Sequence, residues 1–210
     1  MSASSPGPNQ HADHGSPATD SSGELAGFID SYRRSGDVGI LLDQLKAFAR
    51  RSAPEALEAL VKPFRDMPEV IIPVYERIVL DRPNDAQAMV VLANAYWLTG
   101  RGAPAVEQLA VRAKEIDPSN RGAWHLWALA QPDLRRRMER WMEVSTRFPA
   151  DQLARAALAD NATSLANEEA DPVALKIAIS TYEGLLAEAT HTAQRLAIEE
   201  SLKVLRGWRV

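Results

Sequence analysis

The chain has 210 residues, of which 46% are hydrophobic and 25% are charged, the composition of an ordinary soluble globular protein. A net charge of −4 argues against nucleic-acid binding driven by electrostatics. Because the sequence has no cysteine, disulfides, thiolate nucleophiles and cysteine-based zinc sites are excluded. No apolar run approaches the roughly 20 residues that span a bilayer. We therefore expect a cytoplasmic protein without membrane insertion or a nucleic-acid partner.

The first 23 residues differ in composition from the rest of the chain. Residues 1–23 are rich in Ser, Pro, Gly and Asp and contain no Leu, Ile, Val, Phe, Tyr or Trp. Such a segment buries too little apolar surface to offset its ordering entropy, so a disordered N-terminal tail is predicted. His11 and His14 have the spacing of metal ligands, but two histidines without a third ligand do not define a metal site. No metal or other cofactor is predicted.

From Glu24 onward the apolar residues follow a helical period. In the first stripe Leu25, Phe28, Ile29 and Tyr32 recur at i, i+3, i+4 and i+7. The segment 52–55 (Ser-Ala-Pro-Glu) has the pattern of a capping box. No stretch alternates with period two for long enough to suggest a sheet. Residues 24–210 are therefore predicted to form a single all-α domain.

Three prolines divide the middle of the chain into units of similar length. Pro83, Pro118 and Pro149 each end an amphipathic stretch, at spacings of 35 and 31 residues. One helical pair of this length cannot bury its own apolar face, so neighbouring pairs must stack against one another. The spacing therefore predicts a repeated helix–turn–helix unit.

The unit between Pro83 and Pro118 has a recognisable pattern of apolar, small and aromatic positions. In its first helix, these positions are filled by Met89, Leu92, Ala93 and Tyr96. Gly100 follows at the turn, and the second helix has Val106, Ala110 and Ala113 on its packing face. The next unit repeats the theme with Trp124, Trp127, Ala128, Trp141 and Val144.

This pattern resembles the tetratricopeptide repeat, and the resemblance is clearest over residues 68–149. It implies a right-handed α-solenoid of antiparallel helix pairs. Residues 24–67 and 150–210 match the repeat less well and are expected to form atypical terminal helices. The resemblance also implies that the repeated apolar positions of each unit are packing residues.

A second stripe on the first helix of each pair is the predicted binding surface, because such repeats bind ligands on the concave face formed by their first helices. Trp97 beside Asn94 is typical of an interface anchor, since large aromatic residues dominate binding hot spots. The alternative is that another helix covers Trp97. The predicted function is a non-catalytic interaction module or scaffold that binds a protein or peptide segment. The partner-binding residues are Gln87, Val90, Asn94, Trp97, His125 and Leu129.

Some members of the family hold a terminal carboxylate with a clamp of lysine, asparagine and arginine on this face. Asn94 matches one of the asparagines, but Val90 replaces a lysine and Leu126 replaces the other asparagine. A clamp of that kind is therefore not predicted, and an apolar or mixed segment suits the surface better.

An arginine-rich segment is a second candidate contact, for phosphate or for an acidic peptide. Acidic residues are interspersed among these arginines, so a solvated helix face is the simpler alternative. The arginines are Arg135, Arg136, Arg137 and Arg140.

Catalysis is not predicted, because the folded region contains no nucleophile–base motif, phosphate loop or metal-binding motif. His125 and His191 are the only histidines after the tail, and several predicted helices separate them. The alternative function is a structural subunit that associates with itself through its terminal helices. Trp208, near the end of the final helix, would then lie in the seam of a homo-oligomer.

Overall fold

The computed structural model describes residues 17–209, and within that range the chain is all-α. The described part contains eleven α-helices, one short 3₁₀ helix (Lys62–Phe64) and no strand, so the predicted fold class is confirmed. The helices are α1 (Pro17–Ser35), α2 (Val38–Arg51), α3 (Pro54–Val61), α4 (Pro68–Asp81), α5 (Ala86–Leu98), α6 (Ala103–Ile116), α7 (Arg121–Leu129), α8 (Leu134–Arg147), α9 (Gln152–Glu169), α10 (Pro172–Glu188) and α11 (Thr192–Arg206).

The first helix begins earlier than the apolar pattern indicates. Helix α1 begins at Pro17 rather than at Glu24, so residues 17–23 are helical instead of belonging to the tail. Proline fits the first turn because its missing N–H has no helical partner to lose. Since adding a turn to an existing helix costs far less than nucleating one, small polar residues can extend a helix whose apolar stripe starts later. Residues 1–16, with His11 and His14, lie outside the described residues.

Short polar side chains fix the starts of most helices. Asp85 accepts a hydrogen bond from the backbone N–H of Ala88, and equivalent bonds are made by Asp37, Asn120, Asp133, Asp151 and Asp171. The capping box predicted at Ser52 is wrong. The Ser52 hydroxyl donates to the carbonyl of Phe48 at 2.9 Å, so this residue closes α2 rather than opening α3.

The described chain divides into two compact units, which meet in sequence between Arg77 and Ile78. In the first unit, α1 packs against α2 and α3. Its core includes Leu25, Leu45 and Phe48, and Phe28 contacts the edge of the Phe48 ring at a centroid distance of 6.1 Å. That residues 24–210 fold as one domain stays a prediction.

The second unit contains α5 to α11, and each helix packs against the next one along the chain. Turns of two to four residues join α5 to α6, α7 to α8 and α9 to α10, so each pair is antiparallel. Gly100 and Gly102 take φ values of 67° and 98° in the first of these turns, a conformation that favours glycine. The first helices of the three pairs are therefore α5, α7 and α9, and the predicted binding residues lie on α5 and α7.

Candidate protein-interaction surface

The predicted packing residues of α5 are buried, except at the C-terminal end of the helix. Met89, Leu92 and Ala93 are buried, because they face the neighbouring helices of the unit. Tyr96, which was expected in the core, is only half-buried, and the Arg101 guanidinium lies over its ring at 5.1 Å from the centroid. The end of the predicted core stripe therefore reaches the surface.

The N-terminal half of the second stripe on α5 is used to hold α7. Gln87 is exposed, and its side-chain oxygen accepts a hydrogen bond from the Asn120 amide at 3.3 Å. Val90 is half-buried, and a Cβ at Gly122 would lie 3.0 Å from its Cγ1. A larger residue at this position would have to displace Val90 slightly, so glycine favours the close approach of the two helices. These two predicted binding residues lie in a helix–helix contact.

The C-terminal half of the same stripe is open. Asn94 is exposed, and Trp97 keeps 39% of its surface exposed. Leu98, the next residue, is also an exposed apolar side chain. The structure thus brings together an indole, an amide and an aliphatic side chain at one end of α5.

The two predicted binding residues of α7, His125 and Leu129, contact other helices of the same unit. His125 Nε2 lies 2.7 Å from Asp151 Oδ2, and its ring meets the Trp141 ring edge-on at a centroid distance of 5.3 Å. Leu129 is half-buried against the core formed by α7 to α11. In this unit, therefore, His125 and Leu129 connect α7 to the helices that follow it.

Asp151 is a buried structural residue that is not among the residues selected from the sequence. It is 5% exposed and accepts hydrogen bonds from the backbone N–H groups of Leu153 and Ala154. Burial opposes ionisation of this carboxyl, but the Ala154 N–H, His125 and the nearby Arg121 outweigh it and hold the pKa of Asp151 below its usual value. An aspartate at an N-cap is a local feature, but its pairing with a histidine 26 residues away depends on the tertiary structure.

The arginine-rich segment lies on α8, and three of its four predicted residues make contacts within the chain. Arg135 pairs with Glu169 and Asp171, at 2.6 and 2.9 Å. Arg137 donates to the Asn161 side chain at 2.8 Å, and Arg140 pairs with Glu107. These arginines therefore join α8 to α9, α10 and α6, whereas Arg136 is exposed.

The tryptophans predicted as packing residues form a cluster with basic side chains between α6, α7 and α8. The Lys114 ammonium lies 3.5 Å from the centroid of Trp127 and 4.1 Å from that of Trp124. Arg140 and Arg147 lie over the same two rings. Partial burial lowers the pKa of Lys114, an effect that Glu143 opposes. The cluster stabilises the stack through cation–π contacts and apolar burial.

Within residues 17–209 there is no helix long and apolar enough to cross a membrane. The same part of the chain contains no group of three or more His, Asp or Glu side chains that could hold a metal ion.

Solved structures similar to this chain are tetratricopeptide repeat proteins. A crystal structure of MamA is 16% identical, with a TM-score of 0.55 over 83% of this chain and 98% of its own. A tetratricopeptide repeat protein from Parabacteroides merdae is 14% identical, with a TM-score of 0.56 over 92% of this chain and 75% of its own. TTC0263, a repeat protein of Thermus thermophilus, is 16% identical, with a TM-score of 0.54 over 87% and 98%.

No protein-family model matches the sequence, and no curated protein matches it. The structural similarity confirms that this chain has a tetratricopeptide-like helical repeat fold. At this level of sequence identity the similarity concerns the fold.

Proposed function

We propose that the protein is a non-catalytic interaction module that holds a segment of a partner protein on the first helices of its repeats. The fold supports this class of function, because stacked helical pairs present an extended surface on which partners dock. The observation that carries the proposal is the exposed Trp97, on the same helix as the buried Met89 and Leu92. An exposed indole beside a polar side chain is the usual composition of a binding hot spot.

Two of the six predicted binding residues are exposed at the C-terminal end of α5 and form the centre of the proposed site. Asn94 and Trp97 are the anchors of the proposed site, and Leu98 extends its apolar surface. The other four predicted residues support the site through helix contacts. Gln87 and Val90 hold α5 against α7. His125 contacts the N-cap of α9, and Leu129 packs on the adjoining core. A partner segment with an apolar side chain and a backbone or side-chain amide fits the anchors best.

The test compares two variants with the same exposure on the two helices of one pair. Ile116, on α6, is 39% exposed, as is Trp97 on α5. Partners captured by the full-length wild type are identified, and their affinities for Trp97→Ala and Ile116→Ala are measured. Trp97→Ala should weaken binding at least tenfold, about 1.4 kcal/mol, while Ile116→Ala leaves it unchanged. Equal losses in both variants would contradict the proposed face.

The alternative function is self-association through the terminal helices, with Trp208 at the contact between two copies. This residue is half-buried against the helices of its own chain. Sedimentation velocity at nanomolar concentration separates the two functions, since a dimer that persists at this dilution would support the structural subunit. A monomer would support the interaction module.

A further inference from the structure

We draw no further inference here: the strongest candidate, the open pocket beside α11 that Tyr182, Val204 and Trp208 line, carries nothing because its walls hold both hydrogen-bond donors and acceptors and nothing in the structure shows what covers it.

Discussion

His125 Nε2 and Asp151 Oδ2 lie 2.7 Å apart, and this contact joins the middle of α7 to the first turn of α9. Asp151 is at once the N-cap of α9, the partner of His125 and a neighbour of Arg121, whose Nε lies 3.5 Å away. A single buried carboxylate therefore caps α9 and contacts a side chain of α7. Because α7 also packs against α5, which carries Asn94 and Trp97, this contact supports the helix beside the proposed surface.

Asp151→Asn should destabilise the protein by about 1–3 kcal/mol at pH 7, the range for a hydrogen-bonded buried charge. Asparagine still caps a helix, so the loss reports the charge rather than the cap. Asp133→Asn is the control, since Asp133 is an exposed cap that accepts from the Arg136 N–H. This control should change stability by less than about 0.5 kcal/mol. Urea denaturation measures both variants.

The pH dependence of the Asp151 contribution follows from the direction of its pKa shift. The folded-state pKa lies below the usual value, so the stabilisation is fully present above the unfolded-state pKa of about 3.9. It is lost as the pH falls from there through the folded-state pKa. The difference in unfolding free energy between wild type and Asp151→Asn should therefore shrink below about pH 4. A difference that stays constant from neutral pH into strong acid would contradict this assignment.

Met89→Ala and Trp97→Ala should separate packing from binding within α5. Met89 is fully buried, so its truncation should cost about 2–5 kcal/mol of stability. Trp97→Ala should cost less than about 1 kcal/mol, as expected for an exposed position. Chemical denaturation of the two variants provides the comparison. If Trp97→Ala is as destabilising as Met89→Ala, Trp97 is a packing residue and the surface on α5 is misassigned.

Two glycine substitutions should have opposite effects. Gly102 has a φ of 98°, so Gly102→Ala forces a side chain into a strained conformation and should destabilise the protein by about 1 kcal/mol or more. Gly184 lies inside α10 with nothing within 4 Å of an added Cβ. Gly184→Ala should raise stability by about 0.5–1 kcal/mol. Melting temperatures of the two variants that move in the same direction would refute the backbone argument.

Trp124 and Trp141 offer a test of a single hydrogen bond. Both indoles are buried, but Trp124 Nε1 donates to the Pro118 carbonyl at 3.0 Å, whereas the buried Trp141 Nε1 has no hydrogen-bond partner among the described residues. Each Trp→Phe substitution removes a similar volume. Trp124→Phe should therefore be more destabilising than Trp141→Phe by about 1 kcal/mol, the net value of the bond. Urea midpoints measure this difference, and the reverse order would disprove it.

Much of the helical architecture is readable from the sequence, because helix formation depends on residues within about four positions of each other. Gly100, for example, lies in the turn between α5 and α6, where the sequence pattern predicts it. The same local rules misplace the start of α1, where the helix continues through residues without an apolar stripe. At Ser52 two local roles compete, and the side chain caps the helix before it instead of the helix after it.

The sequence by itself determined the all-α class and the repeat of helix pairs, since hydrophobic periodicity is a short-range property. Only the tertiary structure decided which predicted binding residues stay open. Trp97 and His125 both lie on predicted second stripes, but Trp97 remains exposed while His125 pairs with Asp151. Exposure and pairing depend on neighbours that are distant in sequence, and stacking of the helices brings those neighbours together.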